Sequence, residues 1–172
     1  MDKTHNYTLS AIYHRKSVRT YLPEKAISAS EIDLLIRAGM AAPSGKDTRP
    51  WEIIVVNERA ILDTLAQELP YAKMLKNAPV AVIVCGDETI SSYWFLDCSA
   101  VTQNILLAAE TLGLGAVWTA AYPYEDRMTA VAKQIGLPDN IKALSVIPIG
   151  YPGENKKHKD KYDKNKIHYN KW

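Results

Sequence analysis

The sequence has too few cysteines and too few long apolar runs for several common protein classes. Its 172 residues include only two cysteines, Cys85 and Cys98, which lie too far apart for a CxxC redox pair or a zinc knuckle. We interpret Cys85, in an apolar run, as a core residue, and no second feature supports a catalytic role for Cys98. No apolar run reaches the roughly 18 residues that span a bilayer, and the polar N-terminus lacks a secretory signal. We therefore expect a cytoplasmic protein with no membrane partner.

Nucleotide-binding, hydrolase and metal motifs are also missing. The patterns G-x-G-x-x-G and G-x-x-x-x-G-K-[ST] do not occur, which disfavours a dinucleotide-binding Rossmann domain and a P-loop enzyme. There is no G-x-S-x-G elbow, and the four histidines have no cysteine or carboxylate at ligand spacing. We expect no metal and name no catalytic side chain. A chain with binding loops but no evident nucleophile indicates that a cofactor carries the reaction.

Helical and strand patterns alternate along the chain, so helix and sheet layers are expected in one domain spanning residues 1–172. Ser30 has the chemistry of a helix N-cap, with acidic residues in the turn that follows it. The stretch 92–112 is apolar on more than one face, which indicates burial in the domain centre or in a subunit interface. The sequence does not give the strand order. Helices are predicted at 7–14, from residue 30 to about 39–43, and at 58–67, 92–112 and 125–135, and strands at 51–56, 80–85, 116–119 and 143–149.

Charge is distributed unevenly. Residues 154–172 carry seven lysines against three acidic residues, a net charge of +4, whereas residues 1–153 carry −2. A basic tail indicates an anionic partner, and nucleic acid, acidic lipid and a cofactor phosphate are all candidates at this point. The tail also contains Ile167, Tyr169 and Trp172, which a purely solvated segment does not need. We therefore expect the extension 154–172 to dock on a surface, with a second subunit as one candidate.

Three further clusters have the residue types of a binding site. Arg15, Lys16, Ser17 and Arg19 combine cations with a hydroxyl, which suits a phosphate dianion, although a solvated basic loop has the same composition. In the stretch 42–51, Gly45 allows the backbone to approach a flat ligand, although an ordinary helix-to-strand loop also contains glycine. In 112–121, small residues leave room for a planar ring, or form a glycine cap and a core strand.

Taken in order, these clusters resemble the nitroreductase family. Residues 15–21 are similar to its R-x-S-x-[RK]-x-[YF] opening, and residues 42–51 are similar to its APS-x-x-N-x-[QR]-PW loop. The helix-to-strand joint at 112–115, the IGYP sequence at 149–152, and the basic pair Lys159 and Lys161 also fit. Each motif is weak alone, but together they cover nearly the whole chain, from about Ala11 to Trp172.

The resemblance implies an α+β fold, a three-layer α/β/α sandwich with a central mixed, mainly antiparallel sheet. It also implies a homodimer with two FMN molecules at the subunit interface, and NADH or NADPH as co-substrate. The expected reaction is a ping-pong cycle in which NAD(P)H reduces FMN and leaves before a nitroaromatic, quinone or similar small acceptor binds. Reductive dehalogenation and flavin-dependent oxidation are alternatives within the fold. A nucleic-acid-binding module that uses the basic tail is the rival outside it, and leaves the other clusters unexplained.

The same resemblance assigns the cofactor-binding residues by their positions in the motifs. One group would hold the phosphate, ribityl chain and pyrimidine edge: Arg15, Lys16, Ser17 and Arg19, with Lys159 and Lys161 completing the phosphate site. A second group would arrive from the partner subunit: Pro43, Ser44 and Gly45, with Asp47 in the same loop. A third would line the ring near N5 and O4: Trp118, Thr119, Ala120 and Ala121. Lys73 would match a lysine near the N1–O2 edge, where Lys73 or Arg19 would stabilise negative charge.

Two residues depart from the family pattern. Asp47 stands where asparagine is common, and its charge either weakens binding of an electron-rich ring or is neutralised by Lys46 or Arg49. Lys161 stands where arginine is common, so that a bidentate phosphate contact becomes a point-charge contact. The chain is also short for the family and leaves little room for an inserted lid over the flavin.

Overall fold

A computed structural model describes residues 7–155 and 157–172, and its centre is one sheet of five strands. The strands run in the order β1-β2-β5-β3, with β4 also paired to β5, and every one of these pairs is antiparallel. A parallel bridge between Ser17 and Ala116 makes the sheet mixed. The α+β fold with a mainly antiparallel sheet is therefore confirmed. The strands are β1 (Trp51–Val56), β2 (Val80–Asp87), β3 (Gly115–Ala116), β4 (Thr119–Ala120) and β5 (Ile141–Gly150).

Five α-helices and three short 3-10 turns surround the sheet in the described residues. The apolar residues form one cluster with α2 and α4 on one face of the sheet, and another with α3 and α5 on the opposite face. The helices are α1 (Tyr7–His14), α2 (Ala29–Met40), α3 (Arg59–Glu68), α4 (Trp94–Thr111) and α5 (Glu125–Ile135). The 3-10 turns are Gly45–Asp47, Lys73–Lys76 and Lys164–Lys166.

The start of α2 differs from the sequence prediction. The N-cap is Ser28, not Ser30: its Oγ accepts a hydrogen bond from the Glu31 N–H at 3.2 Å, and the Glu31 carboxylate accepts one from the Ser28 N–H at 2.8 Å. This reciprocal pair is a capping box, which satisfies two backbone donors that the first helical turn leaves open. Because the glutamate belongs three residues after the cap, the spacing selects Ser28 over Ser30.

The region after α4 also differs from the prediction. A single strand over 116–119 was expected, but the chain forms two strands of two residues each, β3 and β4, separated by Val117 and Trp118. Both pair with the long strand β5, β3 near its end and β4 near its middle. Both strands keep the same register with β5, so the predicted strand is interrupted at Val117 and Trp118 without a change of direction.

The core confirms the structural interpretation of both cysteines. Cys85 and Cys98 are fully buried, and burial raises the pKa of each thiol to about 12. The Cys98 thiol donates to the Cys85 carbonyl at 3.2 Å. A thiol that is buried and protonated does not act as a nucleophile at neutral pH. Among the described residues, no helix is long and apolar enough to cross a bilayer, and no group of side chains is arranged to hold a metal ion.

Candidate functional site

The two ends of the chain line a common cleft. Residues 12–17 form one wall and residues 157–162 form the other, enclosing about 940 Å³. Five residues predicted to bind the cofactor are therefore brought together, although residues 17 and 157 are 140 positions apart in the sequence. One carboxylate, Asp160, also lines the cleft, and one of its oxygens accepts from the Tyr162 N–H at 2.9 Å. The five predicted residues in the cleft are Arg15, Lys16, Ser17, Lys159 and Lys161.

The sheet holds the N-terminal wall in place. The Val18 N–H donates to the Ala116 carbonyl at 3.0 Å, next to the Ser17–Ala116 bridge, and the Val18 side chain is buried. A Cβ atom on Gly115 would lie 2.6 Å from the Val18 side chain, so a larger residue at position 115 would push the two segments apart. The Tyr21 hydroxyl lies within 2.8 Å of the Val18 carbonyl and 3.0 Å of the Pro148 carbonyl, and can donate to either. Burial raises the pKa of Tyr21, so its hydroxyl stays a neutral donor.

Arg19 and Lys73 lie outside the residues that line the cleft. Arg19 is exposed, and its backbone N–H donates to Glu154 Oε1 at 3.0 Å. Lys73 is exposed at the start of a 3-10 turn whose Met74 packs on the cluster of Val18, Tyr21 and Ala78. The turn therefore lies beside the N-terminal wall, which leaves both cations near the cleft but not in it.

Residues 118–121 form a surface on β4, the β4 wall, which does not line the cleft between residues 12–17 and 157–162. Their side chains alternate in exposure. Thr119 and Ala121 bury their side chains, and the Thr119 hydroxyl donates to the Val146 carbonyl at 2.6 Å. Trp118 and Ala120 are partly exposed. Of the four predicted ring-lining residues, Trp118 and Ala120 can therefore offer side chains, whereas the Ala121 N–H and carbonyl already bond to the Leu144 carbonyl and the Tyr124 N–H.

The loop at 43–49 is held away from the cleft by contacts with α4. The Gly45 N–H donates to Asp97 Oδ1 at 2.9 Å, and the Asp97 carboxylate is buried. The Arg49 N–H donates to Ser44 Oγ at 3.0 Å. Three residues that are not glycine, Lys46, Asp47 and Arg49, have positive φ angles of 54°, 55° and 49°. Such conformations are costly for side chains with a Cβ and persist only where surrounding contacts enforce them.

The Asp47 side chain is neutralised by Arg49, one of the two partners expected from the sequence. Arg49 Nε and Nη2 donate to the two carboxylate oxygens at 2.8 and 2.7 Å. These hydrogen bonds hold the pKa of Asp47 below its usual value. The departure from asparagine at this position therefore brings its own counter-ion, and the loop presents a paired charge instead of a free anion.

The chain is similar in sequence to a known protein family along most of its length. A family model described as the Nitroreductase family matches residues 12–70 and 63–151. The chain belongs to the nitroreductase family. A relative from Methanothermobacter thermautotrophicus, provisionally named NADH dehydrogenase/NAD(P)H nitroreductase, is 46% identical over 167 residues, which cover 95% of this chain and 87% of the relative.

Solved structures agree with membership of the nitroreductase family. The crystal structure of a protein from Bacteroides thetaiotaomicron, with the same provisional name, has a TM-score of 0.96 and 62% identity, covering 98% of this chain and all of the other. A protein from Desulfovibrio desulfuricans, provisionally named a nitroreductase and solved in complex with FMN, has a TM-score of 0.84 and 26% identity, covering 98% of this chain and 99% of the other. The resemblance drawn from the sequence motifs is thereby confirmed.

Within this nitroreductase fold, the cleft contains residues that sequence reasoning missed. His14 on one wall and His158 on the other pack edge to face, with ring centroids 4.7 Å apart. Lys16 forms an ion pair with Glu110 of α4 at 3.4 Å, so part of its charge is already matched. Each histidine is next to a predicted basic residue in the sequence, which is a weak signal. Glu110 lies 94 residues from Lys16, and no local pattern relates the two.

Apolar side chains remain uncovered at both ends of the chain. Helix α1 has no buried residue, and Ile12 and Tyr13 are exposed on it. Residues 157–172 are exposed throughout, including Tyr169 and the fully exposed Trp172. Exposed aromatic and aliphatic groups in such numbers are typical of a surface that another molecule covers.

Proposed function

We propose that this protein is an FMN-dependent oxidoreductase that takes hydride from NADH or NADPH and passes reducing equivalents to a small organic acceptor. The observation that carries the proposal is the cleft between residues 12–17 and 157–162. A flavin phosphate brings nearly two negative charges, and guanidinium, ammonium and hydroxyl groups are the donors that bind such a dianion. Arg15, Ser17 and Lys161 meet that requirement in one place, so the residues present fit the group.

Each part of the site has a physical role in this function. When bound, FMN supplies the hydride chemistry that the side chains themselves lack. The N-terminal wall and the tail neutralise and orient its phosphate. Residues 118–121 line the ring, with Trp118 and Ala120 offering partly exposed side chains. Arg19 and Lys73, beside the cleft, favour negative charge at the pyrimidine edge, and water supplies protons, so no side chain is assigned as an acid.

A homodimer completes the site in this proposal. Pro43, Ser44, Gly45 and Asp47 belong to a loop that does not line the cleft of its own chain, and the partner subunit would supply its copy of this loop. The exposed apolar faces of α1 and of residues 157–172 support the pairing, because an obligate interface buries such faces. The basic tail then docks on the partner subunit and serves the phosphate, which leaves no need for nucleic acid as its ligand.

The proposed cycle is ping-pong, with nitroaromatics or quinones as the acceptor class. Two relatives support FMN as cofactor and nitro compounds as acceptors: the FMN complex from Desulfovibrio desulfuricans and an FMN-dependent nitroreductase from Clostridium difficile that is 28% identical. Dehalogenation is an alternative that would change the acceptor, whereas flavin-dependent oxidation would change the donor, because the organic substrate then reduces the flavin. A cytoplasmic location stays a prediction.

The test is the visible spectrum of the purified protein. Flavin absorption that NADH or NADPH bleaches, and that a nitroaromatic or quinone restores without oxygen, is the expected result. A colourless protein that also ignores added FMN would contradict the proposal. If NADH or NADPH bleaches the flavin but no nitro compound or quinone restores its absorption, the cofactor assignment stands and the acceptor class is wrong. Halogenated aromatics would then be the next acceptors to measure.

A further inference from the structure

Arg127, in the first turn of α5, contacts two segments that the proposed function places against the flavin. Its Nη1 donates to the Ala120 carbonyl at 3.3 Å, which ties it to the β4 wall. Its guanidinium carbon lies 3.7 Å from the ring centroid of Tyr124 and 5.3 Å from that of Tyr71. Tyr71 precedes Lys73 by two residues. One guanidinium group therefore links the wall at 118–121 to the segment that carries Lys73.

The charge of Arg127 is held by aromatic rings instead of a carboxylate. Among the ion pairs of the described residues, none includes Arg127. Its Nε is buried and has no hydrogen-bond partner within the described part of the chain. Ring faces attract a guanidinium group but do not neutralise it, and they displace its water. A positive charge that is partly desolvated acts on its surroundings more strongly than a hydrated one.

We propose that Arg127 is a positioning residue that fixes the β4 wall and raises the reduction potential of the bound FMN. The proposal rests on the proposed function. Hydride transfer oxidises the nicotinamide and adds two electrons and one proton, and therefore one negative charge, to the bound cofactor. A fixed cation behind the wall favours this added charge. The bond to the Ala120 carbonyl keeps the wall and the cation at a constant distance from each other.

The experiment compares the affinity of the protein for oxidised and for reduced FMN in four variants. Arg127→Met removes the charge and the hydrogen bond, Arg127→Gln removes the charge but keeps a donor for Ala120, and Arg127→Lys keeps the charge. Lys133→Met, on the exposed side of the same helix, is the matched control. In Arg127→Met and Arg127→Gln, the preference for reduced FMN should fall about tenfold, a decrease of about 30 mV in a two-electron potential. Arg127→Lys and Lys133→Met should stay close to the wild type.

Each outcome decides a separate question. An unchanged potential in Arg127→Gln, with FMN still bound, overturns the electrostatic role even if Arg127→Met does not fold. A potential that falls in Arg127→Lys as far as in Arg127→Gln also overturns it, because the charge is then irrelevant. A wild-type protein that binds neither form of FMN overturns the proposed function instead, and is recognised before any variant is made.

Discussion

The two walls of the cleft differ in how they are held. The wall at residues 12–17 leads directly into Val18, which is hydrogen-bonded to β3, buried, and in contact with Gly115. The wall at residues 157–162 is exposed along its whole length. The first wall is therefore held by the core of the chain, whereas the second wall has no buried residue to hold it. In the proposed phosphate site, the core therefore holds one wall in place, and contacts with the ligand or the partner subunit would hold the other.

The largest effect is expected from removing one cation in each wall. Arg15→Ala combined with Lys161→Ala should weaken FMN binding by about 1.5–3 kcal/mol for each charged hydrogen bond that is lost. Of the single variants, Arg15→Ala should cost more, because it removes a bidentate donor from the preformed wall. Titration of apoprotein with FMN, followed by flavin fluorescence, measures both. Equal losses of FMN affinity in the two single variants would contradict the proposed difference between the two walls. An unchanged titration of the double variant would refute the phosphate site.

The next effect tests what holds the first wall. Gly115→Ala would place a Cβ atom 2.6 Å from the Val18 side chain. Overpacking of this kind costs about 1–3 kcal/mol of unfolding free energy, and FMN affinity should fall with it. Urea unfolding of the apoprotein gives the stability.

Val18→Ala is the companion variant for Gly115→Ala. In the double variant the clash is relieved, so the stability lost to Gly115→Ala should be partly restored relative to the sum of the two single effects. Strict additivity would mean that the close approach of Gly115 and Val18 does not hold the wall.

A smaller effect is expected from the buried tyrosine behind the same wall. Tyr21→Phe leaves the carbonyls of Val18 and Pro148 without the hydroxyl that now serves them. The expected loss of stability is about 1–3 kcal/mol, near the lower end because one hydroxyl proton serves two acceptors. Thermal unfolding of the apoprotein measures this loss. The control is Tyr13→Phe, which changes an exposed tyrosine of α1 and should leave the midpoint of unfolding unchanged.

The smallest effect is expected from the loop outside both walls. Asp47→Asn breaks an exposed ion pair with Arg49, and such pairs contribute little in water, so FMN affinity should change by less than about threefold. Arg49 holds the pKa of Asp47 low. The stability that this ion pair contributes is therefore present at neutral pH and is lost only as the pH falls through that lowered pKa. A large change in affinity at pH 7 would show that the Asp47 charge itself acts on the ring.

Local patterns predicted most of the fold. Periodicity and β-branched runs gave β1 and α5 with their observed bounds, and the order of four motifs gave the family. The predicted start of α2 is wrong by two residues, because the S-x-x-E spacing from Ser28 decides the cap and not the acidic residues after Ser30. The strand at 116–119 was wrong because the break at Val117 and Trp118 depends on how β5 pairs with both β3 and β4, which no short window of sequence contains.

The candidate site was predicted in its composition more than in its geometry. The motifs identified Arg15, Ser17 and Lys161, and the cleft brings them together. Arg127 and Glu110 were missed because their contacts, with Tyr71 and Lys16, join helices to distant segments. The burial of Thr119 could not be predicted from the sequence Trp118 to Ala121, because the alternation of buried and exposed residues appears only when the strand is paired.

A cleft whose walls are 140 residues apart in the sequence has a consequence for how the protein resists degradation. A phosphate held by Arg15 on one side and Lys161 on the other would act as a removable crosslink between them. Anything that binds only the folded form protects it by mass action. The rate of trypsin cleavage within residues 157–166 would then report the fraction of protein that holds the ligand. Trypsin cleaves after lysine, so the lysines proposed to bind the phosphate are also its cleavage sites.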